Sequence, residues 1–571
     1  MCGIAGILGQ RENNLSKIKK VLEVQSHRGP DSTGIWEGDE VVIGHNRLSI
    51  IDLSDAANQP LVSDCGTFNL VFNGEIYNYI ELRKELESTY NFRTQSDSEV
   101  ILAAYSKWGI DCLNHFNGMF AFAIWDNHTR ELFLARDRFG VKPLHYTVYQ
   151  DQFYFASEIK AFWIVGIPKK VNESVLGQFL KHDSYGGSDT TFWQNILKVP
   201  GGHYLKISSK DVLDTRVAVQ PKQWYNFVTN VKQLTPFTQN EAIEYLHELL
   251  KDSISLRFRS DVPVGINLSG GLDSSTLLGL VKNLFPENNA LEAFSFYSDD
   301  DRYDELKWIM EMVKNSQVKL NACLLKVDEI PALIEKMAYY QDEPFGGFPT
   351  IAYGQIFKAA QEKGIKVLLD GNGMDEALAG YDYYNSDNNA IIQNTDKSMV
   401  KDDYLNADFE AFIHPPVYEQ PFNNTIQNKQ YRDIFYTKIP RSIRFNDRVS
   451  MMSSTELREP FLDYRLMEFG VSLPKELKIR NNQGKWILRE LMRLKIGENV
   501  ALAPKRPLQT PQREWMGNEL RDYVNNIIDE LKNNPFLDHN KVRSSWEHYL
   551  AGNIQSSFHI WKLISLYYLI K

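Results

Sequence analysis

Apolar runs of strand length recur along the chain, and the company they keep changes near residue 240. In the first part, residues 118–125 and 132–137 read as core strands, and several other apolar stretches end in clusters of polar side chains. Between about Ser208 and Pro236 the pattern turns polar. From Asn240 onward, Ala242, Ile243, Tyr245, Leu246, Leu249 and Leu250 fall at helical spacing. Residues 262–268 are a short apolar run that predicts a buried strand, and residues 274–281 predict a helix. Residues 293–297, 320–326 and 365–369 are further strand candidates. Strands that alternate with helices predict an α/β, parallel, doubly wound sheet with ligands beyond the C-terminal strand ends. The chain divides accordingly into residues 1–207, a linker at 208–236, and residues 237–571.

A length of 571 residues allows two to four domains, each with its own core. A hydrophobic content of 43% and a charged content of 24% are those of a soluble globular protein. The formal net charge of −10 comes without a basic run, which argues against a nucleic-acid partner. Four scattered cysteines (Cys2, Cys65, Cys112, Cys323) suit neither a disulfide framework nor a zinc site, and fit a reducing compartment. No apolar run approaches the roughly 20 residues of a membrane span. The N-terminus lacks a signal-peptide pattern. The expected location is the cytoplasm, with no membrane partner. The oligomeric state is left open, a homodimer included.

The first chemical candidate is the turn between the strand at 262–268 and the helix after it: Leu268, Ser269, Gly270, Gly271, Leu272, Asp273 and Ser274. Strand, glycine turn and helix together point backbone N–H groups and a helix N-terminus at an anion. No Lys follows the glycines, so this is not a Walker A loop. Asp273 stands there instead, and a carboxylate beside phosphates needs a divalent cation between them. An ordinary strand-to-helix turn is the plainer alternative. Residues 370–376 (Asp-Gly-Asn-Gly-Met-Asp-Glu) follow another strand end, and Asp375 there is a second metal candidate or a helix cap. Residues 294–297, Phe296 among them, offer a wall for adenine.

Cys2 carries the other candidate. Removal of Met1 would leave a thiol and a free α-amino group on one residue, and that amine can act as base towards the thiol. A small buried thiol in a first strand is the alternative. The motifs that follow favour chemistry: His27-Arg28-Gly29-Pro30-Asp31, His45-Asn46-Arg47, Phe72-Asn73-Gly74-Glu75 and Ser96-Asp97-Ser98-Glu99. With these, residues 1 to about 200 resemble the glutaminase domain of class II glutamine amidotransferases, with an N-terminal cysteine nucleophile. The resemblance implies a four-layer α+β sandwich, αββα. Glutamine hydrolysis needs an Arg for the substrate carboxylate, carboxylates for its ammonium group, and donors for the oxyanion. Arg47, Asp97 with Glu75, and Asn73 with the Gly74 N–H suit these roles, with backbone groups near Ile50 also touching glutamine. The loop at 138–144 either faces the next domain or is a surface turn.

From about residue 240 the chain resembles the synthetase domain of glutamine-dependent asparagine synthetases. That resemblance implies that ATP adenylates a carboxylate and that ammonia travels through an internal tunnel. The substrates implied are glutamine, ATP and a carboxylate acceptor, with Mg²⁺ on the phosphates. By the same resemblance, residues 269–274 hold pyrophosphate, Asp273 and Asp375 hold Mg²⁺, and Gly371 lies near the nucleotide. Lys505 matches a late lysine that stabilises the adenylating transition state, although Pro507 and Leu508 replace the usual Gly and Phe. The chain departs from the family at Asn372, where a glutamate is typical, and at Asp370, where Ser is frequent. Asn372 cannot accept a proton as a base. Either another group does so, or the acceptor is a carboxylate other than aspartate. A charged stretch at 444–463 reads either as structural ion pairs or as part of the site. A non-catalytic sensor and a cyclase using only the second domain are the competing functions.

Overall fold

The computed structural model describes residues 2–571 except 10, 11, 188, 214–218, 289, 301, 304, 387–403, 494, 504–509 and 553–556. Two six-stranded sheets fill the N-terminal part. The first orders Leu197–Lys198, His145–Tyr149, Gln152–Ala156, Gly3–Leu8, Val41–Arg47 and Ser32–Glu37. The second orders Lys222–Gln223, His203–Ser208, Glu131–Arg136, Gly118–Asp126, Phe68–Ile76 and Leu61–Val62. All their pairings are antiparallel.

The two-residue period of a strand decides what each face meets. In Gly118–Asp126, Ala121, Ala123 and Trp125 join the core between the sheets. Phe120, Phe122 and Ile124 point the other way, into a core shared with the helices Tyr79–Leu86 and Asp97–Trp108. Helix Asn14–Val24 covers the first sheet through Ile18, Val21 and Leu22. Helix, sheet, sheet and helix make the αββα sandwich that the resemblance implied.

The C-terminal part holds a five-stranded parallel sheet ordered Lys319–Leu324, Glu292–Tyr297, Val264–Asn267, Val367–Leu369 and Glu456–Arg458. The chain builds outward from Val264–Asn267 in one direction, then returns to its other side. That reversal opens a crevice between the ends of Val264–Asn267 and Val367–Leu369. The loops at 268–274 and 370–376 occupy it. The predicted elements recur within a few residues, including helix Gln239–Phe258, whose N-terminus carries a capping box of Thr238 and Glu241. The strand Glu456–Arg458 has no counterpart among the predicted strands. Three residues with a charge at each end carry no apolar period to read.

The polar stretch at 208–236 is structured where described. Lys222–Gln223 adds an edge strand to the second sheet, and helix Phe227–Gln233 packs Phe227 against Phe435. The 138–144 loop faces the C-terminal part, with the Phe139 ring against those of Tyr225, Phe227 and Phe435. Among the described residues, no helix is long and apolar enough to cross a membrane.

Candidate active sites

Cys2 immediately precedes the strand Gly3–Leu8, and the strand Phe68–Ile76 of the facing sheet brings Asn73, Gly74 and Glu75 beside it. The Cys2 N–H donates to Asn73 Oδ1 at 3.0 Å, and Arg28 Nε donates to the Cys2 carbonyl at 3.0 Å. Asn73 is fully buried, and its Nδ2 has no hydrogen-bond partner among the described residues. An orphaned buried donor is costly unless a ligand completes it. A Cβ on Gly74 would come within 2.1 Å of the Met119 carbonyl, so only glycine fits against that strand. Burial pushes the Cys2 thiol up, and the Leu48 N–H, donating towards the sulfur, partly counters it. The thiol is therefore the resting form.

Arg47 ends the strand Val41–Arg47, and its guanidinium donates to the Asp52 carbonyl, the Ser54 carbonyl (2.8 Å) and Asn58 Oδ1 (2.8 Å). Three of its five N–H groups are thus fixed, which orients the rest. Asp97 opens helix Asp97–Trp108 behind a Ser96 cap, and its Oδ2 accepts the Ile76 N–H at 2.9 Å. Burial raises Asp97 to about 6. Two of the expected glutamine contacts also have partners across the interface. The Glu75 carboxylate, expected to face the glutamine ammonium group, is paired with Arg458 of the C-terminal sheet at 3.1 Å. The Ile50 carbonyl accepts the Asp261 N–H at 3.0 Å, which ties this segment to the C-terminal part and leaves the oxygen a second lone pair.

At the second site Gly270 takes φ 62°, the left-handed conformation the turn requires, and helix Leu272–Leu284 starts directly behind it. The Leu268 N–H is held by the Phe294 carbonyl at 2.8 Å, and the Ser269 N–H lies 3.2 Å from Ser274 Oγ. A Cβ on Gly371 would sit 2.9 Å from the Ser274 nitrogen, so residue 371 is packed on this loop. Phe296, at the end of its strand, is half-buried. Asp273 and Asp375 converge on a single ammonium: Lys485 Nζ is 2.6 Å from each. Burial works against the Lys485 charge, and the two carboxylates more than offset it, raising its pKa. Lys485 stands with φ 58° at the N-terminus of helix Trp486–Met492, where the helix dipole opposes a cation. The two aspartates hold it there.

Asn372 Nδ2 donates to Ser442 Oγ and to Glu459 Oε1, both at 3.0 Å. Asp370 accepts from Asn267 Nδ2 at 2.9 Å and from the Tyr353 hydroxyl. Lys505 lies outside the described residues. Leu48, Lys485, Arg458 and Glu459 were absent from the sequence-based set of site residues. No local period marks them; each earns its place through a partner far along the chain.

The charged stretch at 444–463 is where the two parts join. Arg28, fully buried, donates to Asp447 at 3.0 and 3.2 Å and to Glu158 at 3.0 Å. Arg448 reaches Glu158 at 3.0 Å, and Lys160 bridges Glu158 and Asp342. Arg458 contacts Glu456 as well as Glu75 and donates to the carbonyls of Arg257 and Arg259. Beside this network lies a cavity of about 20 Å³, lined among others by Tyr77, Gly118, Met119, Phe139, Glu459 and Leu462. That is room for one water-sized molecule.

Residues 1–218 match the glutamine amidotransferase domain family, and residues 245–571 match the asparagine synthase family. The glutamine-hydrolyzing asparagine synthetase 1 of Bacillus subtilis (strain 168) is 29% identical, over 99% of this chain and 95% of its own length. Amidase chry2 of Gibberella zeae is 25% identical over 94% of this chain and 93% of its own. Amidase chyE of Penicillium rubens is 26% identical over 96% and 94%. With the second match extending over more than half of its length, the chain belongs to the asparagine synthase family, preceded by a glutamine amidotransferase domain.

Proposed function

We propose that the chain hydrolyses glutamine at Cys2 and passes the ammonia to a carboxylate activated as its adenylate, giving an amide, AMP, pyrophosphate and glutamate. The observation that carries this is the strand Glu456–Arg458. Glu456 acts electrostatically on the Cys2 thiol, Arg458 pairs with Glu75, and the next residue, Glu459, bonds Asn372. One short strand is a wall of both sites.

In the first site the neutral thiol gives its proton to the Cys2 α-amino group, freed once Met1 is removed, as sulfur attacks the side-chain amide of glutamine. Asn73 Nδ2 and the Gly74 N–H receive the oxyanion. The α-ammonium returns that proton to the amide nitrogen, the C–N bond breaks and ammonia departs, and water hydrolyses the thioester to glutamate, restoring the thiol. Arg47 takes the substrate carboxylate, and Asp97 its ammonium group. Glu75 fixes Arg458 and through it the wall between the sites.

In the second site the Ser269–Ser274 loop and the helix behind it cradle the pyrophosphate of ATP. Among the described residues, Lys485, held beside the loop by Asp273 and Asp375, supplies positive charge to the phosphates, in addition to the role that the resemblance gives Lys505. Asp273 and Asp375 fit a divalent cation, because their two carboxylates converge on one point and carry more charge than one ammonium neutralises. Mg²⁺ held there would screen the phosphates from the incoming carboxylate. Phe296 walls the adenine and Gly371 lets the loop close on the nucleotide. Ammonia in bulk water at neutral pH is mostly ammonium, so transfer between the sites would need a route closed to solvent, and the small cavity at Met119 and Leu462 lies between the two parts.

The leading acceptor is aspartate. A different carboxylate is the second reading, favoured by Asn372 and Asp370 on the acceptor wall. Acceptor-dependent ATP–pyrophosphate exchange across a panel of carboxylates, aspartate included, tests both. Exchange with one of them, and glutamate and AMP released in equal amounts, is the expected result. No exchange with any carboxylate sinks the adenylate reading.

A further inference from the structure

We propose that Glu459 is the base that takes the proton from ammonia as it attacks the acyl-adenylate, with Asn372 holding its carboxylate in position. The inference rests on the adenylate reading above.

Attack by ammonia on an acyl carbon creates a problem that any such enzyme must solve. The nitrogen lone pair forms the C–N bond, the carbonyl opens to an oxyanion, and the nitrogen becomes positively charged. Unless it loses a proton, ammonia is the better leaving group and the intermediate falls back. A base must therefore stand where the ammonia arrives. When it takes the proton, the oxyanion re-forms the carbonyl, the bond from carbon to the AMP oxygen breaks, and the amide remains. The base then returns its proton to solvent as AMP leaves.

Glu459 meets the positional requirement from both directions. Its side chain lines the 20 Å³ cavity together with Tyr77, Gly118 and Met119 of the N-terminal part, next to the strand that carries Asn73 and Gly74. Its Oε1 accepts from Asn372 Nδ2 at 3.0 Å, on the acceptor side. Asn446 Nδ2 donates to the same oxygen at 3.3 Å. Both partners are neutral amides, which orient a carboxylate without neutralising it. Other carboxylates of this wall are differently held. Arg458 pairs with Glu75 and Glu456. Glu456 is held down to about 2, too weak a base, while Glu75, pushed up by burial and by Glu456, is tied to the Arg458 guanidinium and, among the described residues, forms no hydrogen bond with Asn372. Asp370 is occupied by Asn267 and Tyr353.

The electrostatics agree with the geometry. Burial raises Glu459 to about 7; Asp370 adds to the rise, while Asn372, Lys142 and Asn446 oppose it. A base with a pKa near the working pH transfers protons most effectively. The pairing also accounts for Asn372. A second carboxylate at 372 would sit against Glu459 and repel it, whereas an amide N–H binds it.

The test is Glu459→Gln in the full-length protein. Acceptor-dependent ATP–pyrophosphate exchange and glutaminase activity are expected to stay within about threefold of the parent, while amide formation from ammonium falls by about 10²–10³-fold. Glu459→Gln combined with Asn372→Glu, which moves the carboxylate across the pair, is expected to recover at least about tenfold of that loss. Amide formation per free ammonia should fall in the parent as pH drops through about 7 and should be flat in Glu459→Gln. Full-rate amide formation by Glu459→Gln with exchange intact overturns the proposal. If Glu459→Gln loses exchange and glutaminase as well, Glu459→Asp decides: slowed amide formation with a moved pH midpoint supports the proposal, and an unmoved midpoint overturns it. A parent enzyme without exchange would instead remove the adenylate reading and this proposal with it.

Discussion

The two sites differ in how their polar groups stand before any substrate arrives. Around Cys2 the backbone is fixed by strands from two facing sheets, and Asn73 keeps a buried donor without a partner among the described residues. Around Asp273 the groups satisfy one another: Lys485 with both aspartates, Asn372 with Glu459 and Ser442, Asp370 with Tyr353. On the proposed function the first site serves one invariant chemical event, so preorganisation has no cost in versatility. The second must take in a triphosphate and an acceptor in turn, so its internal contacts are ones that ligands can exchange. On the proposed function, the orphaned donor is where an oxyanion would be received, and the cation between two acids is where phosphates and a metal would be taken in.

That contrast can be broken at its strongest point first. Cys2→Ala is expected to lower glutamine-dependent amide formation by about 10³-fold or more while synthesis from added ammonium persists. Loss of both in a folded variant would show that the sites are not separable. Lys485→Ala should lower ATP–pyrophosphate exchange by about 10²–10³-fold and leave glutamate release intact; unchanged exchange would remove Lys485 from the phosphates. Asn73→Ala should cut glutaminase kcat by about 10²-fold with little change in KM, the mark of a contact made only in the transition state. A rise in KM alone would mean that Asn73 binds ground-state glutamine.

The interface sharpens the comparison next. Asp447→Ala strands Arg28 without its bidentate partner in a dry environment, which should cost about 3–5 kcal/mol in chemical denaturation. The smallest effect is one of pH. Asp97 sits at about 6 because burial disfavours its charge, so it protonates as pH falls through that value. If Asp97 holds the glutamine ammonium group as proposed, that pull is then lost, and the glutamine KM should rise by up to about tenfold between pH 7 and 5. For stability the sign is opposite. A raised carboxyl pKa contributes fully below the unfolded value of 3.8, and that contribution is lost as pH rises through about 6. Asp97→Asn should flatten both profiles.

Local chemistry made much of this legible in the chain. The glycine turn at 270–271 between an apolar run and a helical pattern could bind only an anion or nothing, and alternation of strand and helix after residue 240 dictated a parallel sheet. The N-terminal motifs carried their meaning because each joins a strand end to a polar side chain. The same logic placed Cys2, Arg47, Asn73 and Asp97, and the structure draws them to the meeting edge of two sheets. What the sequence could not announce were relations between residues hundreds of positions apart. Glu75 read as a substrate ligand, and no local pattern announced that Arg458 pairs with it. Lys485 carried no local signal, and Glu459 sat among charges that read equally well as ion pairs.

Periodicity and turn chemistry are properties of a few neighbouring residues, so the sequence alone determined the elements, the sheet type and the anion loop. The partner of a buried charge depends on which surfaces are pressed together with water excluded, where an unpaired charge is too costly to keep. Only the tertiary structure decided that Arg458 belongs to Glu75, Lys485 to two aspartates, and Glu459 to Asn372.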